Sequence, residues 1–123
     1  MNLALWITQG LLAAIFTGSG LLKATRSKEK LIASGQTGVA PFSTPAIRAV
    51  ALLELLAAVG LILPWLTGTA PILTPLAAVG LAIVMIGAAV AHWSLREYKQ
   101  VFAVNLVIFL ACVFVAVGRF ADL

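Results

Sequence analysis

The chain has 123 residues, of which 63% are hydrophobic and 10% are charged, and its formal net charge at pH 7 is +4. Its mean hydropathy of +1.13 is far above the range of soluble proteins, in which a charged shell encloses an apolar core. The composition therefore excludes a water-soluble fold and a soluble nucleic-acid-binding protein, although the net charge is positive.

Four apolar stretches follow one another along the chain, and each is long enough to cross a bilayer as a helix. They cover about residues 3–22, 46–63, 75–93 and 101–118, close to the ~20 residues that span ~30 Å of hydrocarbon. No basic segment precedes the first stretch, so we interpret it as a permanent helix rather than a signal peptide. The sequence predicts an all-α fold in which residues 1–123 form one domain, a four-transmembrane-helix bundle.

Threonine and proline residues indicate where these helices begin and end. Thr44-Pro45 and Thr74-Pro75 each predict an N-cap followed by proline at the first helical position, and Pro64 predicts the end of the second span. The basic run after the first span leaves two interpretations open, a short interfacial helix or a solvated loop.

Small side chains predict where the helices pack closely. Gly10, Ala14 and Gly18 recur every fourth residue in the first span, and Gly87 with Ala91 repeats this spacing in the third. Small residues let helix backbones approach each other within a membrane. We expect these residues to lie between the helices of the bundle.

The loops differ in charge, and this difference predicts the orientation of the chain in the membrane. Arg119 lies near the C-terminus, and the linker of residues 64–74 has no basic residue. The other basic residues lie in the loops after the first and third spans: Lys23, Arg26, Lys28, Lys30, Arg48, Arg96 and Lys99. By the positive-inside rule, these loops are cytoplasmic, both termini face outward, and the expected location is the cytoplasmic (inner) membrane.

Glu54 is an acid well inside a predicted span. It lies ~8 residues into its helix, or ~12 Å from the cytoplasmic end, which is too deep for its carboxylate to reach water. A charge at this depth needs a partner within the bundle or a wet cavity. Glu54 is therefore expected either to be ionised against a cation or to be protonated.

Helical spacing brings other polar residues to the same end of the bundle. Lys23, His92 and Asn105 all lie in the cytoplasmic third, and a lysine stem can extend along apolar surface towards Glu54. Arg48 precedes Glu54 by six residues, about 120° around the helix, so an intrahelical pair is not expected. We predict a polar cluster of Lys23, Glu54, His92 and Asn105 that opens towards the cytoplasm.

Simpler roles stay open for the same residues. Glu54 can form a structural ion pair with Lys23 or with Arg48, which would fix the register of the helices. The alternative is a ligand or proton site that uses the same carboxylate. His92 can be an ordinary residue of the membrane boundary.

The remaining polar and sulfur-containing side chains predict neither a metal site nor a catalytic residue. Gln9 and Asn105 are most simply interhelical hydrogen-bonding groups. Cys112 is the only cysteine and His92 the only histidine, so no metal-ligand spacing is present. No phosphate loop, nucleophile elbow or triad motif occurs, which leaves any enzymatic activity open.

Three segments carry a resemblance to a known family of membrane proteins. They are Gly18-Ser-Gly-Leu-Leu-Lys23 in the first span, Arg48 with Glu54-Leu-Leu and Gly-Leu-Ile-Leu-Pro in the second, and Pro-Leu-Ala-Ala-Val-Gly-Leu with Gly-Ala and His92 in the third. In this order the chain resembles the DoxX-like family over nearly its whole length. The resemblance implies a four-helix membrane bundle and, through named relatives, association with thiosulfate:quinone oxidoreduction or with membrane-attached redox complexes. The residues themselves identify no cofactor, and the resemblance makes a quinone the candidate. It also implies that Lys23, Arg48, Glu54 and His92 are recurring polar positions.

These features lead to one functional hypothesis and two alternatives. We expect an accessory membrane protein whose bundle binds a small apolar molecule, with a quinone as the candidate, and in which Glu54 with Lys23 or His92 supplies polar contacts. One alternative is a small multidrug-type transporter that exchanges protons at Glu54, although that family has its acid in the first helix. The other is a purely structural subunit. The lipid bilayer is an expected partner and nucleic acid is not, whereas a redox subunit and a second copy of the chain are left open.

Overall fold

A computed structural model describes all 123 residues and contains only helices, turns and loops. We number the helices α1 to α5: Asn2–Thr25, Lys28–Ala33, Thr44–Thr67, Leu73–Ser94 and Tyr98–Ala121. By length and composition, every helix except the short α2 can cross a membrane. The predicted all-α, four-span bundle is therefore confirmed. A 3₁₀ turn at Thr37–Val39 connects α2 to α3.

The sequence predicted that the second span ends at Pro64, but the helix continues beyond this residue. Pro64 lies inside α3, which continues to Thr67 and ends at Gly68 in the left-handed conformation, with φ of +71°. A proline within a helix leaves the carbonyl four residues earlier without its usual donor, here the carbonyl of Gly60. The hydroxyl of Thr74 donates to this oxygen at 2.8 Å, so the neighbouring helix satisfies the group that Pro64 has freed.

The predicted N-caps are also wrong by one residue or more. The N-cap of α3 is Ser43, whose hydroxyl accepts from the amide of Ala46 at 3.4 Å, and Thr44 is already helical. Helix α4 begins at Leu73, and the Thr74 hydroxyl bonds to α3 instead of capping its own helix. The basic run after α1 forms a helix, α2, so the solvated-loop interpretation is not supported.

The helices pack through a different set of glycines from the one predicted. Gly10 and Gly18 face outward and Gly87 lines an open pocket, with nothing within 4 Å of the position that a Cβ would occupy at any of the three. Ala91 is buried, as predicted. The inward stripe of α1 instead contains Gly20, where a Cβ would lie 2.8 Å from Leu55 Cγ of α3. Four-residue spacing identified a helical face but not which face was inward.

The last span begins irregularly. Residues Val101–Asn105 form a π-helical segment, in which the amide of Leu106 bonds to the carbonyl of Val101. Such a segment changes the direction in which the following side chains point and is frequent at functional sites. Asn105 at its end is buried, as is Cys112 two turns further along.

Two valine substitutions on α1 distinguish the inward from the outward glycine. Gly20→Val should lower the free energy of unfolding in detergent by about 1–3 kcal/mol, because the added side chain overlaps Leu55. Gly18→Val is the matched control and should change stability little, since nothing lies within 4 Å of its Cβ position. Equal losses in the two variants would contradict this packing of α1 on α3.

Candidate functional site

Lys23 and Glu54 form a buried ion pair between α1 and α3. The ammonium Nζ of Lys23 lies 2.5 Å from Oε1 of Glu54, and the hydroxyl of Ser19 donates to the same oxygen at 3.3 Å. Glu54 is completely buried, whereas the Lys23 side chain is 14% exposed. The absent side chain at Gly20 allows the two helices to approach at this level. The pair therefore joins a buried carboxylate to a cation that is still partly accessible.

Arg48, a secondary candidate, does not contact Glu54. Its guanidinium donates from Nη1 to the backbone carbonyl of Lys23 and, at 2.8 Å, to that of Arg26. Carbonyls at the C-terminal end of a helix have no partner within the helix, and a cation there also interacts favourably with the helix dipole. The structure thus gives Arg48 a capping role at the end of α1, so the ion pair with Glu54 that was left open belongs to Lys23 alone.

His92 takes part in a polar contact that the sequence did not indicate. Its Nδ1 lies 2.8 Å from Oε1 of Glu97, and the Thr37 hydroxyl lies 2.9 and 2.8 Å from the two oxygens of the same carboxylate. These contacts join the end of α4 to the 3₁₀ turn. The hydrogen bonds from His92 and then Thr37 lower the pKa of Glu97 below its ordinary value, despite some desolvation.

The same contact fixes the role of each imidazole nitrogen of His92. An ionised Glu97 can only accept a hydrogen bond, so Nδ1 of His92 carries the proton. Nε2 has no partner in the chain and lies next to Gly38, where a Cβ would be 2.8 Å away. Only glycine leaves room for the ring at this place. Nε2 is therefore an acceptor when His92 is neutral and a donor when it is protonated.

Lys23 and His92 line one cavity of about 490 Å³, which we call the Lys23–His92 cavity. Its wall combines polar and apolar side chains from α1, the segment after α2, α3 and α4. They include Lys23, Gln36, Ile47, Val50, Val84 and His92. The cavity has the size and the mixed lining of a small-molecule site.

The predicted polar cluster is only partly assembled. Lys23 contacts Glu54 and lines the cavity together with His92, but Glu54 itself lies behind Lys23 and does not line it. The inclusion of Asn105 was wrong. The segment that contains Asn105 packs against α4, where its Nδ2 lies 3.8 Å from Sδ of Met85, and it lines a different pocket.

Arg119 is a buried polar residue for which the sequence interpretation had given only a position near the C-terminus. Its side chain is 1% exposed, and its Nε donates to Oε1 of Gln9 at 2.7 Å. Gln9 in turn donates from Nε2 to the carbonyl of Leu61 at 2.6 Å. Asn2 and Asp122 accept from Nη1 of Arg119 at 2.9 and 3.2 Å. This network joins α1, α3 and α5.

Two indole rings enclose the same guanidinium. Its Cζ lies 5.3 Å from the ring centroid of Trp6 and 4.6 Å from that of Trp65, within the range of cation–π attraction. The sequence contained one indication that Arg119 is buried, because this residue lies fourteen residues after Asn105 on the same helical face. Gln9 forms the interhelical hydrogen bond that was predicted for it.

The fold and these contacts define the class of the protein. It is an integral membrane protein in which four apolar helices enclose buried polar contacts between helices. The model of the DoxX-like family matches residues 7–115, which include Lys23, Glu54 and His92, and the chain belongs to this family. No curated protein and no solved structure matches it.

A double-mutant cycle measures the interaction between Lys23 and Glu54. Lys23→Met should leave a buried carboxylate without its cation, and Glu54→Gln should leave the ammonium without its anion. The double variant should lose less stability than the sum of the single variants, with a coupling of about 1 kcal/mol or more, above that of exposed pairs. Thermal unfolding in detergent gives the three values, and additive losses would show that the two groups do not interact.

The network around Arg119 predicts a second loss of stability at the other end of the bundle. Arg119→Met keeps an apolar stem but removes the donor to Gln9, and should cost about 1–3 kcal/mol in thermal unfolding. Arg26→Met is the matched control, because the Arg26 side chain is exposed and only its backbone is used by Arg48. A change no larger than that of the control would mean that the network does not hold the helices together.

Proposed function

We propose that this DoxX-like protein binds a small amphiphilic molecule in the Lys23–His92 cavity and acts as an accessory component of a membrane redox system. The observation that carries the proposal is the lining of that cavity, in which a lysine ammonium and a histidine ring share one space with apolar side chains of α3 and α4. Apolar walls favour a ring or short chain, and the two polar groups favour oxygen atoms on it.

A quinone fits this set of groups. Lys23 can donate to a carbonyl oxygen, and Nε2 of His92 can accept from a hydroxyl when neutral or donate to a carbonyl when protonated. A quinone carries electrons and protons through a bilayer. Its oxygen atoms are carbonyls in the oxidised form and hydroxyls in the reduced form. The roles of the chain are then to orient the ring, to exclude water from it and to hold a proton at Nε2.

Glu54 supports this role from behind the cavity. It is fully buried and does not line the space, but it holds the ammonium of Lys23 at 2.5 Å. An ion pair with a completely buried partner limits the rotamers of the lysine and fixes the position of its ammonium group. Glu54 is thus proposed as a positioning residue, with Lys23 and His92 as the groups that touch the ligand.

The contacts of Glu54 favour this proposal over a multidrug-type transporter. A cationic substrate that entered the cavity would meet the ammonium of Lys23 before the carboxylate of Glu54. Repulsion between like charges disfavours such an approach. A purely structural subunit would not need a ligand in the cavity, so a measurement of ligand binding distinguishes that alternative from the proposal.

Binding of a short-chain ubiquinone analogue to the purified protein tests the proposal. Native mass spectrometry should detect the complex, and the double variant Lys23→Met with Glu54→Gln, which removes both charges together, should bind about tenfold more weakly. Lys99→Met is the matched control, because Lys99 is exposed and lies outside the cavity. Unchanged affinity in the double variant, or no binding by the parent protein, would contradict the proposal.

The proposed orientation is that both termini face outward from a cytoplasmic (inner) membrane, with the Lys23–His92 cavity near the cytoplasmic side. The basic residues of α2 and of the loop before α5 support it through the positive-inside rule. Reporter fusions that are active only in the cytoplasm should succeed after Gln36 and fail at Leu123. The reverse pattern would place the cavity on the other side.

A further inference from the structure

A second pocket of about 460 Å³ lies between α4 and the start of α5 and has no lining residue in common with the Lys23–His92 cavity. We call it the lateral groove and define it by Met85, Ala89, Trp93, Phe102, Asn105 and Phe109. Trp93 and Phe102 are 53% and 60% exposed, so the groove is open on the outer surface of the bundle. In a membrane, that surface faces lipid.

Asn105 is a polar group in this groove whose hydrogen bonds the chain does not satisfy. The residue is 4% exposed, its Oδ1 is buried without a partner, and its Nδ2 has only the thioether of Met85 at 3.8 Å. A thioether is a weak acceptor. Asn105 lies seven residues after Tyr98, or ~10 Å along the helix from the start of the span, where hydrocarbon offers no water.

The backbone shows why Asn105 lies at the wall of the groove. The π-helical segment Val101–Asn105 ends at this residue, and it packs against α4, where Met85 and Ala89 form the opposite wall. An unsatisfied amide in hydrocarbon is costly, and turning the amide over would still leave polar atoms unpaired. A molecule that enters from the lipid could supply the missing partner.

The other walls of the groove indicate the shape of that molecule. Trp93 packs against Phe102 with the ring centroids 6.2 Å apart and an interplanar angle of 77°, and Phe109 lines the inner part. Aromatic side chains accommodate a further ring in edge-to-face or offset contact. Ser94 supplies the only hydroxyl in the lining of the groove, and this hydroxyl already donates to the carbonyl of Ala91 at 2.7 Å. One free amide among apolar and aromatic side chains suits a ligand with a single hydroxyl.

We propose that the lateral groove is a second binding site, which takes from the lipid phase an aromatic molecule with an alkyl chain and one hydroxyl, of the phenol class. The hydroxyl donates to Oδ1 of Asn105, while the ring lies among Trp93, Phe102 and Phe109. A lipid acyl chain could fill the same space but would leave the amide unsatisfied. The proposal does not rest on the function of the Lys23–His92 cavity, because the two sites have separate walls.

The test compares two brominated probes that differ only in the hydroxyl, a brominated 4-octylphenol and its methyl ether, with protein in lipid nanodiscs. Bromine quenches indole fluorescence at short range, and Trp93 borders the groove. Quenching by the phenol should occur at about five- to tenfold lower concentration than quenching by the ether, because only the phenol can donate a hydrogen bond. Trp93→Phe should abolish the quenching that both probes cause at the groove.

Asn105→Leu should remove the preference for the phenol, whereas the matched control Ser94→Ala should retain it, since the Ser94 hydroxyl is already bonded to the backbone. If Asn105→Leu does not fold, Ala89→Leu, which keeps the amide and narrows the groove, should weaken both probes. Equal affinity of phenol and ether in the parent protein would overturn the proposal. So would a preference for the phenol that survives Asn105→Leu, or quenching by both probes that Ala89→Leu leaves unchanged. Quenching of Trp93 by neither probe, with a dimer in native mass spectra, would assign the groove to a second copy of the chain.

Discussion

A charged group inside a bilayer must have its partner within the protein, and the arrangement of this bundle follows from that constraint. Glu54 is completely buried in α3, so Lys23 of α1 has to reach it, and the two helices are held at one relative height. Towards the opposite end, Arg119 is held by Gln9 and by two indole rings. Three of the four spans, α1, α3 and α5, are therefore held at two levels by polar contacts that apolar packing alone would not specify.

This constraint also determines where chemistry is available. Glu54 is completely buried and does not line a cavity, but Lys23 has a partly exposed side chain at the wall of the Lys23–His92 cavity. His92 is oriented at the same wall through its bond to Glu97. The proposed ligand would meet polar groups that are already held in place, which lowers the conformational entropy lost on binding. Three buried polar atoms keep no hydrogen-bond partner, namely Oε2 of Glu54, Nη2 of Arg119 and Oδ1 of Asn105, and of these residues only Asn105 lines the lateral groove.

The sequence predicted the helices and the buried acid because both depend on local composition and span length. It also indicated Lys23 as a candidate partner, since a long stem at the end of α1 can reach inward. It could not predict that Thr74 satisfies the carbonyl freed by Pro64, because this contact depends on how two helices meet. The position of Asn105 was missed for a similar reason, since a shared depth in the membrane does not specify the helix that a side chain packs against, and Asn105 contacts Met85 of α4.

The central claim is that Glu54 forms an ion pair with Lys23 and so holds it at the wall of the cavity. Infrared difference spectroscopy of the parent protein against Glu54→Gln, in lipid at pH 7, observes this carboxyl directly. The account predicts that the substitution removes carboxylate bands, and that Lys23→Met in the parent background introduces a protonated carboxyl band which Glu54→Gln then removes. A protonated carboxyl band from Glu54 in the parent protein, unchanged by Lys23→Met, would contradict the account.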